Sequence, residues 1–424
     1  MRIAFFSYEY PLELPLGGIA TYVQQAARLL AGRGHDVHVF TASHTGGYSL
    51  DDEGVSVHQV AELEPTLFPV AAGPTFASVH ATAPFDVIEG PDYGADAREA
   101  ARIAPEAALV VKLHTPSIML LEINYRERDF AGAIWQAARA LRRRRLPRWG
   151  YRPEYETVLR NAIVADRIER ICARSADRVS APARSILHTL KRKWDLVPSR
   201  CTVVPYPYQP SRDLTDIPAG TGGAFVTFIG RLEVRKGIVD LARAVPAILS
   251  AHPDTRFRFV GPIDASPNPG VPMDRYLAAI LGEAIVAVEF TGLVAPTELP
   301  RILAEAKICV YPSLWENFPN VCLEAMAAGR PIVGSSAGGM ADMLASGAGT
   351  LISPGDHRVI AKAVIDLLDR PSERERMGGR AREKLLTDYS GDKIGPQQET
   401  CYREAIEHRQ ASGPRSASSL QASG

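Results

Sequence analysis

Net charge is missing from this chain of 424 residues: 48 lysines and arginines stand against 48 aspartates and glutamates. With no overall field, general attraction to nucleic acid or acidic polymers is excluded, and any such attraction has to be local. Cysteine is scarce. Cys172, Cys201, Cys309, Cys322 and Cys401 are odd in number and contain no Cys-x-x-Cys, which argues against a disulfide framework or a structural zinc site. They read as reduced thiols, the buried ones acting as small apolar side chains. Long apolar runs are absent too, none approaching the roughly 18 residues that cross a bilayer. The opening segment reaches Glu9 too soon for a secretory signal, so a cytoplasmic location is expected. No Asp-x-Asp stands at a strand end to hold a divalent ion. What remains is an ordinary globular composition, 46% hydrophobic and 23% charged, and a length that suggests two or three domains of roughly 150 residues.

Residues 2–7 form a short apolar run, residues 18–32 repeat apolar character at helical spacing, and residues 37–41 turn β-like again. That is a βαβ unit of a parallel sheet. The alternation continues through runs at 85–89, 109–113, 178–181 and 201–204. From residue 205 the text changes: Pro205, Pro207, Pro210 and Pro218, then Gly220, Gly222 and Gly223, read as an extended linker. Beyond it, strands are expected near 224–229, 256–260, 286–291, 308–311, 331–333 and 350–352, each followed by a helix-length segment. The predicted fold class is α/β, with two Rossmann-like doubly wound parallel sheets facing a cleft. The expected division is 1–205, a linker at 206–223, 224–390, a helix at 391–410 packing back towards the first domain, and a Ser, Ala and Gly-rich disordered tail at 411–424.

The first informative stretch runs from Gly230 through Arg231 to Lys236 and Gly237, at the end of the second domain's first strand. Gly230 permits close backbone approach, and Arg231 and Lys236 can converge on a diphosphate from opposite sides of the loop. The alternative is a solvated loop whose cations cover apolar surface with their stems, and Arg235 is assigned to it. The second stretch runs from Tyr311 to Gly329. Pro319 steers its predecessor out of the helical region and suits a first turn, predicting a helix from there to about Gly329. Glu316 then sits in the loop ahead, and Glu324 about five residues inside, roughly 8 Å along the axis. Such a pair suits two parts of one extended ligand, with the free amides of Asn320 and Val321 offered to a phosphate between them. The same carboxylates read equally as an exposed helix residue and a favourable charge near a helix start.

In the first domain, Gly17-Gly18 before a helix makes either an anion nest or a plain turn, and His114, at a strand end directed to the expected cleft, is either a functional group or an ordinary structural histidine. Gly338-Gly339, ahead of Asp342, opens a further helix. Residues 126–152 carry nine arginines against Glu127 and Asp129, a net +7, with Trp135, Trp149 and Tyr151 interleaved. This stretch is either a solvated helical surface or a contact with an anionic membrane through Arg142–Arg145.

Together these segments resemble the retaining glycosyltransferases of the GT-B fold, family 4 type. The likeness rests on Gly-Arg-Leu-x-x-x-Lys-Gly at 230–237, Glu-x7-Glu at Glu316 and Glu324, Glu-Ala-Met-Ala with Gly-x-Pro-Ile-Val at 329–333, and the Gly338-Gly339 turn. In the first domain only Gly17-Gly18 and His114-Thr115-Pro116 fit, and residues 120–176 match nothing in the pattern. The resemblance implies that Arg231 and Lys236 grip a donor diphosphate, Glu324 accepts the ribose hydroxyls and Glu316 holds donor-sugar hydroxyls. It implies that Gly18 offers its amide to the diphosphate and that His114 lies beside the transferred sugar. Asn317 and Pro319 stand where glycines are frequent in the family, which removes one amide donor, and Asp342 stands where glutamate is usual. The implied activity is metal-independent transfer with retention. The donor would be a nucleotide-diphosphate sugar, no cofactor would be needed, and the acceptor would be a glycan, a lipid-linked sugar or a small molecule. A nucleotide-sugar sensor without turnover, or a GT-B epimerase or hydrolase, stays open as the alternative.

Overall fold

A computed structural model describes residues 1–11, 17–50, 53–124, 153–220, 222–268, 270–416 and 420. The arginine-rich stretch 126–152, including Arg142–Arg145, lies outside these residues. The chain divides into two compact units. One comprises Met1–Ala181, Leu187–Thr202 and Glu399–Gly424, and the other Pro182–Ile186 and Val203–Gln398.

The first unit is built on an eight-stranded sheet: β1 (Arg2–Phe6), β2 (Asp36–Ser43), β3 (Gly47–Leu50), β4 (Ser56–Ala61), β5 (Val87–Pro91), β6 (Ala108–Lys112), β7 (Arg178–Ala181) and β8 (Cys201–Val203). Its order is β3-β4-β2-β1-β5-β6-β7-β8. β1 pairs in parallel on both sides, with β2 and β5. Helices then cover both faces of such a strand, so Ile3, Ala4, Phe5 and Phe6 are all fully buried. The helix Gly18–Gly32 follows β1 and buries Ala20, Val23, Ala26, Ala27 and Leu30, the i, i+3, i+4 stripe of an amphipathic helix. It stops in a Schellman turn. Gly34 takes φ +86°, its amide bonds the Ala31 carbonyl at 2.9 Å, and His35 bonds that of Leu30 at 3.1 Å.

Two strands of this sheet are absent from the sequence reading. β4 has histidine and glutamine in its alternation and pairs in parallel with β2, while β3 is a short antiparallel edge carrying Gly47. Neither presents the unbroken apolar run of a central strand.

The second unit carries β9 (Phe225–Ile229), β10 (Arg256–Val260), β11 (Val288–Gly292), β12 (Ala306–Tyr311), β13 (Ile332–Ser335) and β14 (Thr350–Ile352). Their order is β11-β10-β9-β12-β13-β14, with every pairing parallel. All six correspond to the strands read from the sequence. Phe228, Phe257, Phe259, Ile308 and Val310 meet Ile238, Leu241 and Val245 of the helix Ile238–Ala251 in one buried cluster. At roughly 1.5–3 kcal/mol per large apolar side chain, this burial is the main favourable contribution holding the sheet and helix together. The chain leaves β9 on one side and β12 on the other, so the order reverses between these two neighbours. Open α/β sheets bind ligands at the carboxyl ends of such a pair.

Two expectations about the connections are corrected. Residues 206–223 do not form a free linker: they belong to the second unit and contain the helical turn Arg212–Thr215. Tyr208 donates its amide to Tyr389 at 2.8 Å and Gly220 to Gly329 at 2.9 Å. The prolines and glycines make a tightly packed strap here; a Cβ on Gly220 would come within 2.2 Å of the Glu375 backbone. Nor is the polar C-terminus a disordered tail from residue 411. The last helix runs Gly391–Ser412, its residues from Glu399 belong to the first unit, and Arg415 beyond it is buried. The physical reason is Asp177, fully buried and paired with His408, Arg409 and Arg415 at 2.7–2.8 Å. Composition does not register a single buried carboxylate that needs distant cations.

Candidate functional site

In the second unit the loops after β9, β12 and β13 are laced together by their backbones. Gly237 takes φ +70°, and a Cβ there would lie 2.1 Å from the Pro312 carbonyl oxygen, so only glycine lets the β9 loop approach the β12 loop this closely. The Leu314 amide donates to the Arg235 carbonyl at 2.8 Å. On the other side Glu316 forms a parallel bridge with Gly338 and accepts the Gly339 amide on its carbonyl at 2.9 Å. Glu316 is thus clamped between two loops with its side chain buried.

That side chain is the electrostatic centre. Lys236 donates to its Oε1, Ser313 donates to the same oxygen at 3.0 Å, and the Arg235 guanidinium lies 3.8 Å from its Oε2. Burial pushes the carboxyl's pKa up, but Lys236 and then Arg235 outweigh it, and the net shift is downward. Glu316 is ionised at neutral pH. Arg235, assigned from sequence to a solvated loop, is mostly buried and donates to Glu233 at 2.6 Å. The sequence carries no signal for this, because Glu233, Arg235 and Lys236 in one loop do not reveal which way each points.

Arg231 and Lys236 take separate carboxylates. Arg231 is 58% exposed with its Nη1 4.0 Å from Asp264, a pairing of little energetic weight. The sequence reading has Arg231 and Lys236 converging on one diphosphate; in the structure Lys236 meets Glu316 instead, and Arg231 lies at the surface beside Asp264. Gly230 takes φ +150° and its amide is bonded to the Val260 carbonyl, so it shapes the loop and does not donate outward.

The helix after β12 runs Asn320–Ala327 with Pro319 as its N-cap, as its proline predicts. Its first amides, those of Asn320 and Val321, have no acceptor within the helix and stand at its positive end. Glu324, one turn further on, is half-buried; burial lifts its carboxyl to about 7. Asn317 turns inward and donates to the Tyr206 hydroxyl at 3.2 Å. Asp342 accepts the Arg184 amide at 2.8 Å, which gives it a place as a helix cap.

In the first unit Gly17 is the N-cap of the helix Gly18–Gly32, and Gly18 is exposed, with open space where a Cβ would stand. The Glu9 carboxylate crowds Gly17, where a Cβ would lie 2.1 Å from Oε2. His114 follows β6 and is buried. Its amide donates to Asp92 at 2.7 Å, and its ring lies edge-on to Tyr22 at 5.6 Å. Burial, then the neighbouring Lys112, push its pKa down to about 3, so the imidazole is neutral at physiological pH. Tyr22 in turn donates to Glu89 at 2.5 Å. Asp92 and Tyr22, which hold His114, carry no sequence signal because they lie 22 and 92 positions from it.

Comparison with known proteins bears on both units. Residues 17–207 match the family model "Glycosyl transferase 4-like domain" and residues 223–370 match "Glycosyl transferases group 1". Over 171 residues the chain is 34% identical to a glycogen synthase of Mycobacterium tuberculosis, covering 40% of each protein. It is 30% identical over 265 residues to a D-inositol 3-phosphate glycosyltransferase of Corynebacterium glutamicum, covering 58% of this chain and 62% of the relative. The matches thus span less than two thirds of these relatives' own length. The fold is similar to that of a sucrose-phosphate synthase from Thermosynechococcus elongatus, with a TM-score of 0.72 at 21% identity, covering 96% of this chain and 99% of that one.

Proposed function

The chain belongs to the glycosyltransferases of the GT-B fold, family 4 type, and from that premise we propose that it moves a sugar from a nucleotide-diphosphate donor to an acceptor hydroxyl, with retention and without a metal ion. The acceptor is a glycan, a lipid-linked sugar or a small molecule. The observation that carries this reading is the arrangement at the switch between β9 and β12: a half-buried cation, Lys236, a buried carboxylate, Glu316, and the free amides that begin the helix Asn320–Ala327.

Breaking the bond between sugar and diphosphate spreads positive charge over the ring and gathers negative charge on the leaving group. Cations and helix amides held in place beforehand stabilise that charge without reorganising. Lys236, with Arg231 swinging in from the surface, supplies the positive side, and the amides of Asn320 and Val321 supply neutral donors. Glu316 accepts hydroxyls of the donor sugar and Glu324 those of the ribose. For the first unit the proposed roles are a phosphate-binding amide at Gly18 and an uncharged imidazole, that of His114, beside a sugar. In retaining transfer the departing phosphate oxygen takes the acceptor's proton on the same face, so no separate protein base is required.

A thermal-shift screen of UDP-, ADP- and GDP-sugars, each with and without EDTA, tests the donor side, since a ligand that binds the folded chain raises its melting temperature. The expected result is a stabilising donor unaffected by EDTA, followed by release of the nucleoside diphosphate when acceptors are added and an α-anomeric product from an α-donor. Binding with neither transfer nor slow hydrolysis across a broad acceptor panel would make the chain a sensor. No stabilisation by any nucleotide sugar would overturn the proposal.

A further inference from the structure

Four charged side chains make a continuous line in the second unit: Glu233, Arg235, Glu316 and Lys236. Arg235 is bonded to Glu233 at 2.6 Å and reaches to 3.8 Å from Oε2 of Glu316, while Lys236 donates to the other oxygen, Oε1. The two cations therefore address opposite oxygens of one buried carboxylate. One contact is made and the other is just short of made.

This asymmetry has a consequence for the donor complex proposed above, on which the inference rests. When a diphosphate draws Lys236 away, Glu316 loses its closest counter-charge while its side chain is only 9% exposed. A buried carboxylate left without a partner takes up a proton, and a protonated Glu316 no longer accepts hydroxyls of a donor sugar with both oxygens. Arg235 is pre-positioned to prevent this. Its backbone is pinned by the Leu314 amide, its guanidinium is braced by Glu233, and a small closure brings it onto Oε2. We propose that Arg235 is a positioning residue that takes over Glu316 when Lys236 turns to the donor diphosphate, keeping the carboxylate charged and oriented through the transfer. Around Glu316 the facing groups are Lys236 and Arg235 from the β9 loop, Ser313 from its own loop and the neutral thiol of Cys322 from the helix Asn320–Ala327. Among the described residues, Arg235 is the cation left to match it.

The test has one arm without ligand and one with it. In the free protein, Lys236→Met imitates the departure of the lysine, and melting temperatures are measured from pH 4.5 to 8 for wild type, Arg235→Met, Lys236→Met and the double variant. Takeover predicts strong coupling: Arg235→Met costs about 1–2 °C alone and several degrees more in the Lys236→Met background, with the excess growing above pH 6. Arg235→Lys in the same background restores most of the loss. Equal increments in both backgrounds would overturn the proposal, whatever nucleotides do. In the second arm, calorimetric titration with UDP, ADP or GDP, whichever binds best, is run in buffers of different ionisation enthalpy. Arg235→Met is expected to take up close to one additional proton on binding near pH 6.5, and Arg235→Lys less than half of one. Identical proton uptake by wild type and Arg235→Met would also overturn it. If none of the three nucleotides binds wild type, the donor reading fails and the first arm still decides whether Arg235 succeeds Lys236 on Glu316.

Discussion

The Nζ of Lys236 donates to Oε1 of Glu316, 80 positions further along the chain. Each charge is the other's partner, so a diphosphate that binds here has to compete with a carboxylate for the lysine. The pairing also stabilises the fold. Because the pKa of Glu316 is depressed in the folded state, its pairing contributes stability above the ordinary carboxylate range, and that contribution is lost as pH falls through the folded value.

Removing the cations is expected to separate catalysis from stability. Lys236→Ala or Arg231→Ala should lose on the order of 10² to 10³ in turnover, the scale for deleting one preorganised charge donor. Arg231→Ala should leave the melting temperature unchanged, since that side chain is 58% exposed. Steady-state kinetics with the donor found by screening check this, and wild-type turnover in either variant would remove that side chain from the mechanism.

Nucleotide affinity should depend on pH through Glu324. Burial raises its carboxyl to about 7, so the ionised form that accepts two ribose hydroxyls grows as pH rises through neutrality. Binding of the best nucleoside diphosphate is therefore expected to strengthen from pH 6 to pH 8 in wild type and to be flat in Glu324→Gln. Titration calorimetry at several pH values reads it directly, and a flat wild-type profile would detach Glu324 from the nucleotide.

Gly338→Ala should destabilise the second unit by about 2 kcal/mol or more. The residue has φ +83°, and a Cβ there would stand 1.8 Å from the Glu316 carbonyl oxygen, which belongs to backbone that has nowhere to retreat. A denaturant titration measures the loss. Donor affinity should fall with it, because the displaced backbone is the one that carries Glu316.

Asp177→Asn should cost about 3 kcal/mol, because it leaves Arg409 and Arg415 buried beside a neutral amide. Asp177, Arg409 and Arg415 all lie in the first unit. In scanning calorimetry the first unit's transition should move down while the second unit's stays in place, and limited proteolysis should begin to cut beyond Ser412. A single unmoved transition would mean that the C-terminal arginines do not hold this unit together.

Much of the site was readable from local text. Pro319 marked the start of its helix, and the runs at 224–229 and 308–311 marked the two strands that flank the switch, because strand burial on both faces demands continuous apolar residues and proline acts on its immediate neighbours. Arg235 shows the opposite case. Its neighbours Val234 and Lys236 say nothing about the direction of its side chain, and its role depends on a glutamate 81 positions away that reaches it only because Gly237 lets two loops touch.

Sequence by itself settled the α/β alternation, the parallel sheet of the second unit, the parallel centre of the first and the family, since these rest on periodicity, backbone propensity and short contiguous motifs. Tertiary structure alone decided which cation meets which carboxylate, why Arg415 is buried in a polar tail, and why His114 is neutral. Those outcomes come from burial and Coulomb interaction between residues distant in the chain, and both depend on where the fold places a side chain.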